Sequence, residues 1–579
     1  MYSAYFAVKN SVIYLLANSP LVSQITYANG SATRMTTSKT YDYLNRLTQI
    51  SSAPGAAGLL PLTYTYNYNL ANQRTLNAFA DGSHWAYQYD ALGQVTSGKR
   101  YWADGTAVAG EQFGYAYDNI GNRLTAAFGG DTNGLNLRTN TYTANSLNEY
   151  TGIQTPGYES ILGAALANSS VTVNGSVADR EGEYFHREIP VANGSGPVWQ
   201  NATNISSTFT NRGGLLVPAA TQTITNDADG NLTADGIWTY QWDAENRLIM
   251  MAMTPSVSGI ASSNVLRLDF SYDYLGRRVQ KVVSTWNGTG FTPQTTSLFV
   301  YDGWNLLAVV NSQTAIQQSF MWGSDLSGTT TKAGGVGGLL MASISSTNCF
   351  PTYDGNGNFT SLLNIANKSL AARYEYDTFG NILRETGLLA RSNPFRFSTK
   401  FADDESGNVY YNARYYNPSF GKWIGRDPTT DQILLNLYLF CHNNPIGRVD
   451  GDGKVDLGDV LVSCFIQGSI GAGVGAGARI TSNAINGVGL FDNVANDDLA
   501  GAVTGAILGG VMANAGKGLQ LFLTNVSSPT GIVLGTEEGE AAASAFGEQL
   551  ANAMMQGFSA GLIAGSAGVA VSDIILGDF

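Results

Sequence analysis

Large apolar and polar residues alternate in short stretches along most of the chain. Tyr64, Tyr66 and Tyr68 stand at every second position, and Tyr87 and Tyr89 repeat the arrangement. Because successive side chains of a β-strand point to opposite faces, this alternation predicts strands with one aromatic face. Each stretch runs into Asp or Asn and then Gly or Asn, which favour tight turns. The pattern therefore predicts a series of hairpins.

One motif recurs where these strands meet their turns. It consists of an aromatic residue, Asp or Asn, two free positions, Gly or Asn, and then polar and apolar residues. The nine copies start at Tyr41, Tyr68, Tyr89, Tyr117, Trp242, Tyr272, Tyr301, Tyr353 and Tyr376, those at Tyr301 and Tyr353 being degenerate. A single copy is typical of any hairpin, whereas a repeated copy indicates a repeat architecture.

The motif resembles the Tyr-Asp (YD) repeat of Rhs proteins, teneurins and the C component of insecticidal Tc toxins. The resemblance covers residues 41 to about 450, with an interruption from about Tyr150 to Thr225 that contains no copy. It implies a mainly β fold in which hairpins coil into a curled, hollow β-shell. The interruption reads as a β-rich insertion.

Residues 393–454 resemble the Rhs repeat-associated core, through the strings ARYYNP, GKWIGRDP and NLYLFCHNNPI. The expected domains follow from these landmarks. They are a shell with an incomplete N-terminal part (1–149), the insertion (150–225), more shell (226–392), the core (393–454) and a variable tail (455–579). The tail is rich in Gly and Ala, and we expect it to be helical.

In several members of the family the core is an autoprotease that releases the C-terminal cargo. The positions that match its catalytic motif are Arg426, Asp427 and Asp450. The second family motif usually reads Asp-Pro, any residue, Gly-Leu. This chain has Asp-Gly-Asp-Gly-Lys at residues 450–454, without the Pro and the Leu. The alternative is that Arg426 and Asp427 form a structural ion pair.

The core also contains six rings within the short stretch from Tyr410 to Trp423. Burial of rings on this scale stabilises a fold far more than a nearby ion pair does. We therefore expect the segment to close one end of the shell as a cap. Arg414 and Arg426 are expected beside the rings, where a guanidinium can stack and still bond a carboxylate such as Asp427.

The string DGDGKVDLGD, which begins at Asp450, resembles a calcium loop of the EF-hand or dockerin type. It makes calcium the one candidate cofactor, because closely spaced carboxylates are its preferred ligands. The first ligand position of the loop falls on Arg448, a cation, and there is no second copy. The candidate metal ligands are Asp450, Asp452, Asp456 and Asp459.

The charge balance bears on the partners. With a net charge of -13 and a pI near 4.7, the chain is not expected to bind nucleic acid, since phosphate contacts need clustered Lys and Arg. The cysteines Cys349, Cys441 and Cys464 lie far apart, so the shell does not depend on disulfides. No export signal is evident. The resemblance implies a secreted or cell-surface protein with a secretion-system or upstream shell partner.

The tail contains two cations and eleven acidic residues, and no histidine that could act as a general base. Three charge-free runs approach the roughly 17 to 25 residues that span a bilayer: 460–478, 499–516 and 549–572. A membrane-active effector and a soluble helical cargo both fit this composition.

Two functions share this fold. The first is a polymorphic-toxin or Tc-like protein whose shell encloses the tail as cargo, delivers it and cuts it free after the core. The alternative is a cell-surface or secreted adhesion protein without catalytic activity, whose Tyr and Trp surfaces bind carbohydrate. Autoproteolysis by the core is the one enzymatic activity that the motifs suggest.

Overall fold

The computed structural model describes residues 12–16, 21–55, 59–207, 209–254, 257–327, 333–428 and 436–454. The tail and its expected helices lie outside these ranges. Within them the fold is mainly β, as predicted, and the helical segments are three short 3-10 turns, Ser262–Asn264, Phe397–Thr399 and Cys441–Asn443. No helix in the described part of the chain is long and apolar enough to cross a membrane.

The first sheet has 13 strands, and β1 to β11 each pair with the next strand along the chain in antiparallel fashion. The strand that follows the insertion, β20, pairs with β12 and completes the sheet. The strands are β1 Val12–Leu15, β2 Val22–Asn29, β3 Ala32–Tyr41, β4 Leu47–Pro54, β5 Leu62–Tyr68, β6 Arg74–Phe79, β7 His84–Tyr89, β8 Val95–Tyr101, β9 Ala107–Tyr117, β10 Arg123–Gly129, β11 Leu137–Ala144, β12 Tyr150–Gln154 and, later in the chain, β20 Thr221–Thr223.

Between β12 and β20 the chain forms two small antiparallel sheets of three and four strands. They have their own apolar core around Ile161, Val173 and Phe185. The strands are β13 Tyr158–Ala164, β14 Val171–Val173, β15 Ser176–Val177, β16 Asp179–Glu181, β17 Tyr184–Pro190, β18 Val198–Ser206 and β19 Phe209–Val217.

The second sheet has 14 strands in strict chain order. Its strands are β21 Thr225–Asn226, β22 Leu232–Ala234, β23 Trp238–Trp242, β24 Leu248–Met253, β25 Leu266–Tyr272, β26 Arg278–Trp286, β27 Phe291–Asp302, β28 Asn305–Asn311, β29 Ile316–Trp322, β30 Leu339–Ile344, β31 Thr347–Tyr353, β32 Phe359–Asn364, β33 Leu370–Tyr376 and β34 Ile382–Thr386. A last sheet within the core comprises β35 Phe401–Ala402, β36 Val409–Tyr410, β37 Tyr415–Asn417 and β38 Lys422–Trp423.

In seven of the nine repeats an Asp organises the turn through local hydrogen bonds. Oδ1 of Asp42 accepts from the backbone N–H of Leu44 at 2.9 Å and of Arg46 at 3.0 Å, and Oδ2 pairs with Nε of Arg46 at 2.6 Å. Asn45 takes the left-handed conformation that closes the turn, with a φ of 60°. The two backbone bonds to the Asp carboxylate recur at Asp90, Asp118, Asp243, Asp273, Asp354 and Asp377.

The aromatic residue of each repeat ties its hairpin to the preceding one. The hydroxyl of Tyr68 donates to the carbonyl of Leu47 at 2.7 Å. At the copy where Trp242 replaces Tyr, its indole N–H donates to Leu232 at the same distance. Equivalent bonds are donated by Tyr41, Tyr89, Tyr117, Tyr272, Tyr301, Tyr353 and Tyr376. The aromatic residue therefore contributes apolar surface and also a hydrogen bond between hairpins, which we call the latch.

The largest cluster of buried side chains joins both sheets to the core segment. It includes Trp85 and Tyr115 from the first sheet, Phe270 from the second, and Tyr410 and Tyr415 from the core. The ring centroids of Phe270 and Tyr415 are 5.8 Å apart. The aromatic faces predicted from the alternation thus bury the core segment.

Candidate functional site

The core segment lies across the turns of both sheets. Its residue Asn443 donates to the carbonyl of Gly121 at 2.8 Å, in a turn of the first sheet. The carbonyl of Pro445 accepts from Asn356 at 2.6 Å, in a turn of the second sheet. Tyr438 donates to the carbonyl of Gly230 at 2.9 Å. The same turns that define the repeat therefore hold the core in position.

The rings of the core are packed together as the cap hypothesis predicted. Tyr411 and Tyr416 are 0% exposed and Trp423 is 3% exposed. Tyr410 and Tyr415 are also buried, whereas Phe420 is half-buried against Tyr150. Tyr411, Tyr416 and Trp423 form one cluster with Phe440, in which the Tyr416 and Phe440 centroids are 3.8 Å apart, whereas Tyr410 and Tyr415 belong to the largest cluster. This cluster forms the floor beneath the candidate site.

The guanidinium of Arg414 is the centre of the candidate site. Arg414 is 4% exposed, and its guanidinium carbon lies 4.2 Å from the centroid of the Trp423 ring. Nη2 pairs with Oδ2 of Asp427 at 2.9 Å and lies 3.9 Å from Oδ2 of Asp450. Its Nε donates to the carbonyl of Gly453. The predicted combination of stacking and carboxylate bonding is thus present at Arg414.

The carboxyl of Asp450 is buried at the far side of this guanidinium. Oδ1 accepts from the backbone N–H of Gly453 at 2.7 Å and of Asp452 at 3.1 Å. Burial raises the pKa of Asp450 to about 7, and the charge of Asp452 adds to the rise against the opposing effect of Arg414. Much of the Asp450 population therefore carries a proton at neutral pH.

Lys400 approaches the same turn from the opposite side. It is buried, and its Nζ donates to the carbonyl of Gly334 at 2.6 Å and to the carbonyl of Gly451. Gly334 itself contacts the Gly451 carbonyl so closely that a Cβ at position 334 would lie 1.5 Å from its oxygen. Only glycine fits there. The Gly-rich loop and Lys400 therefore clamp the backbone next to Asp450.

The structure brings together two of the three residues that the motif predicted as catalytic. Asp427 and Asp450 lie on the same guanidinium, whereas the side chain of Arg426 is exposed. The ion pair of Asp427 is formed with Arg414, and not with its neighbour in sequence. Arg414 and Lys400 complete the site, although the motif did not assign Lys400 a role.

The calcium hypothesis concerns the same turn. Of its four proposed ligands, Asp450 and Asp452 lie in the described part of the chain, and Asp456 and Asp459 lie outside it. Within the described residues no group of three or more His, Cys, Asp or Glu side chains could hold a metal. Calcium binding depends on the two aspartates outside those ranges and stays a prediction.

Comparison with known proteins gives partial matches, and no family model matches the chain. The tRNA3(Ser)-specific nuclease WapA of Bacillus spizizenii is 29% identical over 239 residues. The double-stranded DNA deaminase toxin A of Burkholderia cenocepacia is 25% identical over 222 residues, and the toxin subunit YenC2 of Yersinia entomophaga is 43% identical over 54 residues. The chain is similar to segments of bacterial toxins.

The matched segments are small parts of the relatives. They cover 40% of this chain but 9% of WapA, 36% of this chain but 15% of the deaminase toxin, and 9% of this chain but 6% of YenC2. Among solved structures, the TcdB2-TccC3 complex aligns with 75% of this chain and 21% of that chain, with 17% identity and a TM-score of 0.35.

Proposed function

We propose that this chain is a YD-repeat shell protein of the toxin type, which cleaves itself after the core and releases the tail as an effector. The observation that carries the proposal is the pair of buried carboxyls, Asp427 and Asp450, on the single guanidinium of Arg414. Asp450 lies close in sequence to the start of the tail at residue 455. The similarity to toxin segments supports the same proposal.

Peptide hydrolysis uses a general base and a general acid. Two carboxyl groups in different protonation states can supply these two roles. Asp427 forms a direct ion pair with Arg414 and is the candidate for the base that takes a proton from water. Asp450 retains a proton because burial raises its pKa to about 7, so it can act as the acid. The arrangement therefore supplies a base and an acid at neutral pH.

A purely structural role would favour a different geometry. A stabilising buried ion pair needs direct contact and full hydrogen bonding of both charges. Asp427 is in direct contact with Arg414 at 2.9 Å, but Asp450 lies 3.9 Å away and bonds backbone N–H groups instead. Asp450 is therefore better placed to act as a proton donor than as a second partner of the ion pair.

The tail is the proposed cargo of the shell. In this proposal the protein acts outside the cell or at its surface, together with a secretion system or an upstream shell partner. The target of the released tail would be a membrane if its charge-free runs insert. Carbohydrate recognition by the shell would belong to the alternative, adhesive function.

Cleavage can be tested on a denaturing gel with the purified full-length chain. We expect two fragments from the wild-type chain and one intact band from Asp427→Asn and from Asp450→Asn. The matched control is Asp404→Asn, which removes a carboxylate paired with Arg396 elsewhere in the core and should leave cleavage unchanged. An intact wild-type chain under all conditions would contradict the proposal.

A further inference from the structure

We propose that the folded chain joins the side chains of Lys422 and Asn122 through a covalent isopeptide bond, with Asp118 as the catalytic residue that transfers the proton. The bond would link β38 of the core to a repeat turn of the first sheet, 300 residues earlier in the chain. It does not depend on the self-cleavage proposed above, because both residues precede Asp450 and the tail.

The amine of Lys422 lies against the side-chain carbonyl of Asn122. Its Nζ is 2.7 Å from Oδ1 of Asn122, and it also donates to the backbone carbonyl of Asn148 at 3.0 Å. Both acceptors are neutral, and Lys422 is 4% exposed. Burial lowers the pKa of Lys422 to about 7, while the charge of Asp118 opposes this fall and that of Arg123 adds to it. A large share of the Lys422 population is therefore the neutral amine, which is the nucleophilic form.

The orientation of the Asn122 amide is fixed by four partners. Oδ1 accepts from Lys422 and also from Nδ2 of Asn436 at 2.9 Å. Nδ2 donates to Oδ2 of Asp118 and to Oδ1 of Asn148, each at 2.9 Å. The reverse orientation would place the amide oxygen against a carboxylate and the NH2 group against the amine. Asn436 thus remains bonded to the oxygen on which negative charge develops when Nζ attacks the carbon.

The distance that the amine must travel is short. Nζ already contacts Oδ1, and the carbonyl carbon is only about 1.2 Å from that oxygen. The amide is 2% exposed, and Nζ lies 4.0 Å from the centroid of the Tyr150 ring. An amine and an amide held together in a site without bulk water react far faster than the same groups free in solution.

The carboxylate of Asp118 lies beside the nitrogen that must leave. Its Oδ2 accepts from Nδ2 of Asn122, and its Oδ1 is held by the backbone N–H groups of Ile120 and Asn122 at 3.0 and 2.8 Å. The leaving nitrogen must gain a proton, since an amine anion is a very poor leaving group. Once Nζ is bonded to the amide carbon, both nitrogens are attached to the same atom. A carboxylate 2.9 Å from one nitrogen is then next to the other as well.

The reaction needs no further reactant. The lone pair of the neutral Lys422 amine forms a bond to Cγ of Asn122, and the carbonyl electron pair moves to Oδ1. One proton passes from Nζ to Asp118, and Asp118 gives it to Nδ2. The bond between Cγ and Nδ2 then breaks, the carbonyl is restored and ammonia leaves. The product is an amide between the two side chains, and Asp118 returns to its starting state.

Other repeats have the same Asn without the amine. Asn358 and Asn381 each stand four residues after the Asp of their repeat and donate Nδ2 to its carboxylate at 2.8 Å. The oxygen of Asn358 accepts from the backbone N–H of Ser398, and that of Asn381 accepts from the hydroxyl of Ser419. These two repeats therefore provide internal controls for Asn122.

The first test is a tryptic digest of the purified full-length chain, read by tandem mass spectrometry. Trypsin places Asn122 in peptide 101–123, and it places a Lys422 that is acylated in peptide 415–426. We expect these two peptides joined, with a mass lower by one ammonia than their sum. Peptide 101–123 recovered unlinked, together with a peptide that ends at Lys422 and no joined product, would overturn the proposal and leave the proposed self-cleavage intact.

The second test measures the role of Asp118 by following the joined peptide after a pulse of cell-free translation. Asp118→Asn should preserve the turn, because Asn69 makes the same backbone bonds in its own repeat. It removes the proton carrier, so linkage should slow about 100-fold or more. Asp377→Asn, the same change in the repeat of Asn381, is the matched control and should link at the wild-type rate. Wild-type linkage by Asp118→Asn would overturn the catalytic role.

The third test uses Lys422→Arg, which keeps a cationic donor but has no amine that can attack. Peptide 101–123 should be recovered entirely unlinked from this variant. The variant should also unfold at a lower urea concentration than the wild type, because a link that closes a loop of 300 residues restricts the unfolded chain. Lys368→Arg is the control, since Lys368 donates to the carbonyl of Gly55, away from the site. Equal midpoints for Lys422→Arg and the wild type would overturn the link.

Discussion

The repeat turns and the core both contain Asp–Arg pairs, but the pairs differ in how they are built. In the turn at Asp42, the partner Arg46 is four residues away and both side chains are about a fifth exposed. In the core, Asp427 and Arg414 are 13 residues apart, and their side chains are 1% and 3% exposed. The first pair closes a local turn that the chain can form by itself. The second pair exists only when the cap is assembled.

The largest expected effect separates these two pairs directly. Arg414→Met leaves Asp427 as a buried charge without its guanidinium, which should lower the free energy of unfolding by about 3 to 5 kcal/mol. Arg46→Met, the matched change in a repeat turn, should cost less than about 1 kcal/mol. Urea unfolding of both variants measures the difference. Equal losses would contradict the distinction between local and assembled pairs.

Removal of a ring from the cap should have a similar or slightly smaller effect. Trp423→Ala is expected to cost about 3 to 5 kcal/mol, because it leaves a cavity among buried rings. It should also make the chain near Asp450 sensitive to added protease. Tyr274→Ala is the control, since Tyr274 is 90% exposed on a repeat turn. If both variants had the same midpoint of thermal unfolding, the cap would not be part of the stable fold.

A smaller effect is expected from the latch between hairpins. Tyr68→Phe removes only the hydroxyl that bonds the carbonyl of Leu47, at a cost of about 1 kcal/mol. Tyr43→Phe, at a fully exposed position of a neighbouring turn, should be neutral. Chemical denaturation of the two variants provides the comparison. A neutral Tyr68→Phe would mean that the ring alone, and not its hydroxyl, joins the hairpins.

The smallest effect is expected for Asp42→Asn. Asn69 stands at the equivalent position of another repeat and accepts the same two backbone hydrogen bonds, each at 3.0 Å. The amide therefore preserves the turn, and only the ion pair with Arg46 is lost, which is worth about 0.5 kcal/mol or less. Asp42→Ala, which removes both backbone bonds, should cost more. Equal values for Asn and Ala would show that the ion pair, and not the turn, is the stabilising element.

The fold was predictable where the determining contacts are local. The Asp bonds of each turn reach two and four residues ahead, so they follow from the motif itself. The hydroxyl latch was not predictable in the same way, because the carbonyl that accepts from Tyr68 belongs to Leu47, 21 residues earlier. The available signal was that Trp replaces Tyr at this position in one repeat, because both side chains donate a hydrogen bond.

The candidate site was predictable only in part for the same reason. Asp427 and Asp450 were found from a resemblance that preserves their motif positions. The role of Lys400 depends on a backbone carbonyl 51 residues later, and no pattern along the chain records that contact. Arg426, the neighbour of Asp427 in sequence, lies after the end of β38 and its side chain is exposed. The close contact of Gly334 with Gly451 joins residues more than 100 positions apart, so no local motif records it either.

The strict order of the strands also determines when the site can exist. Except for β20, which pairs with β12 across the insertion, each strand of the two long sheets pairs with a neighbour in sequence, so the hairpins can form one after another while the chain leaves the ribosome. The core segment follows both sheets along the chain. It forms hydrogen bonds with turns of both sheets, including those at Gly121 and Asn356. The proposed self-cleavage therefore requires both sheets to be folded first. A chain that lacks residues 226–392 should emerge with an uncut core.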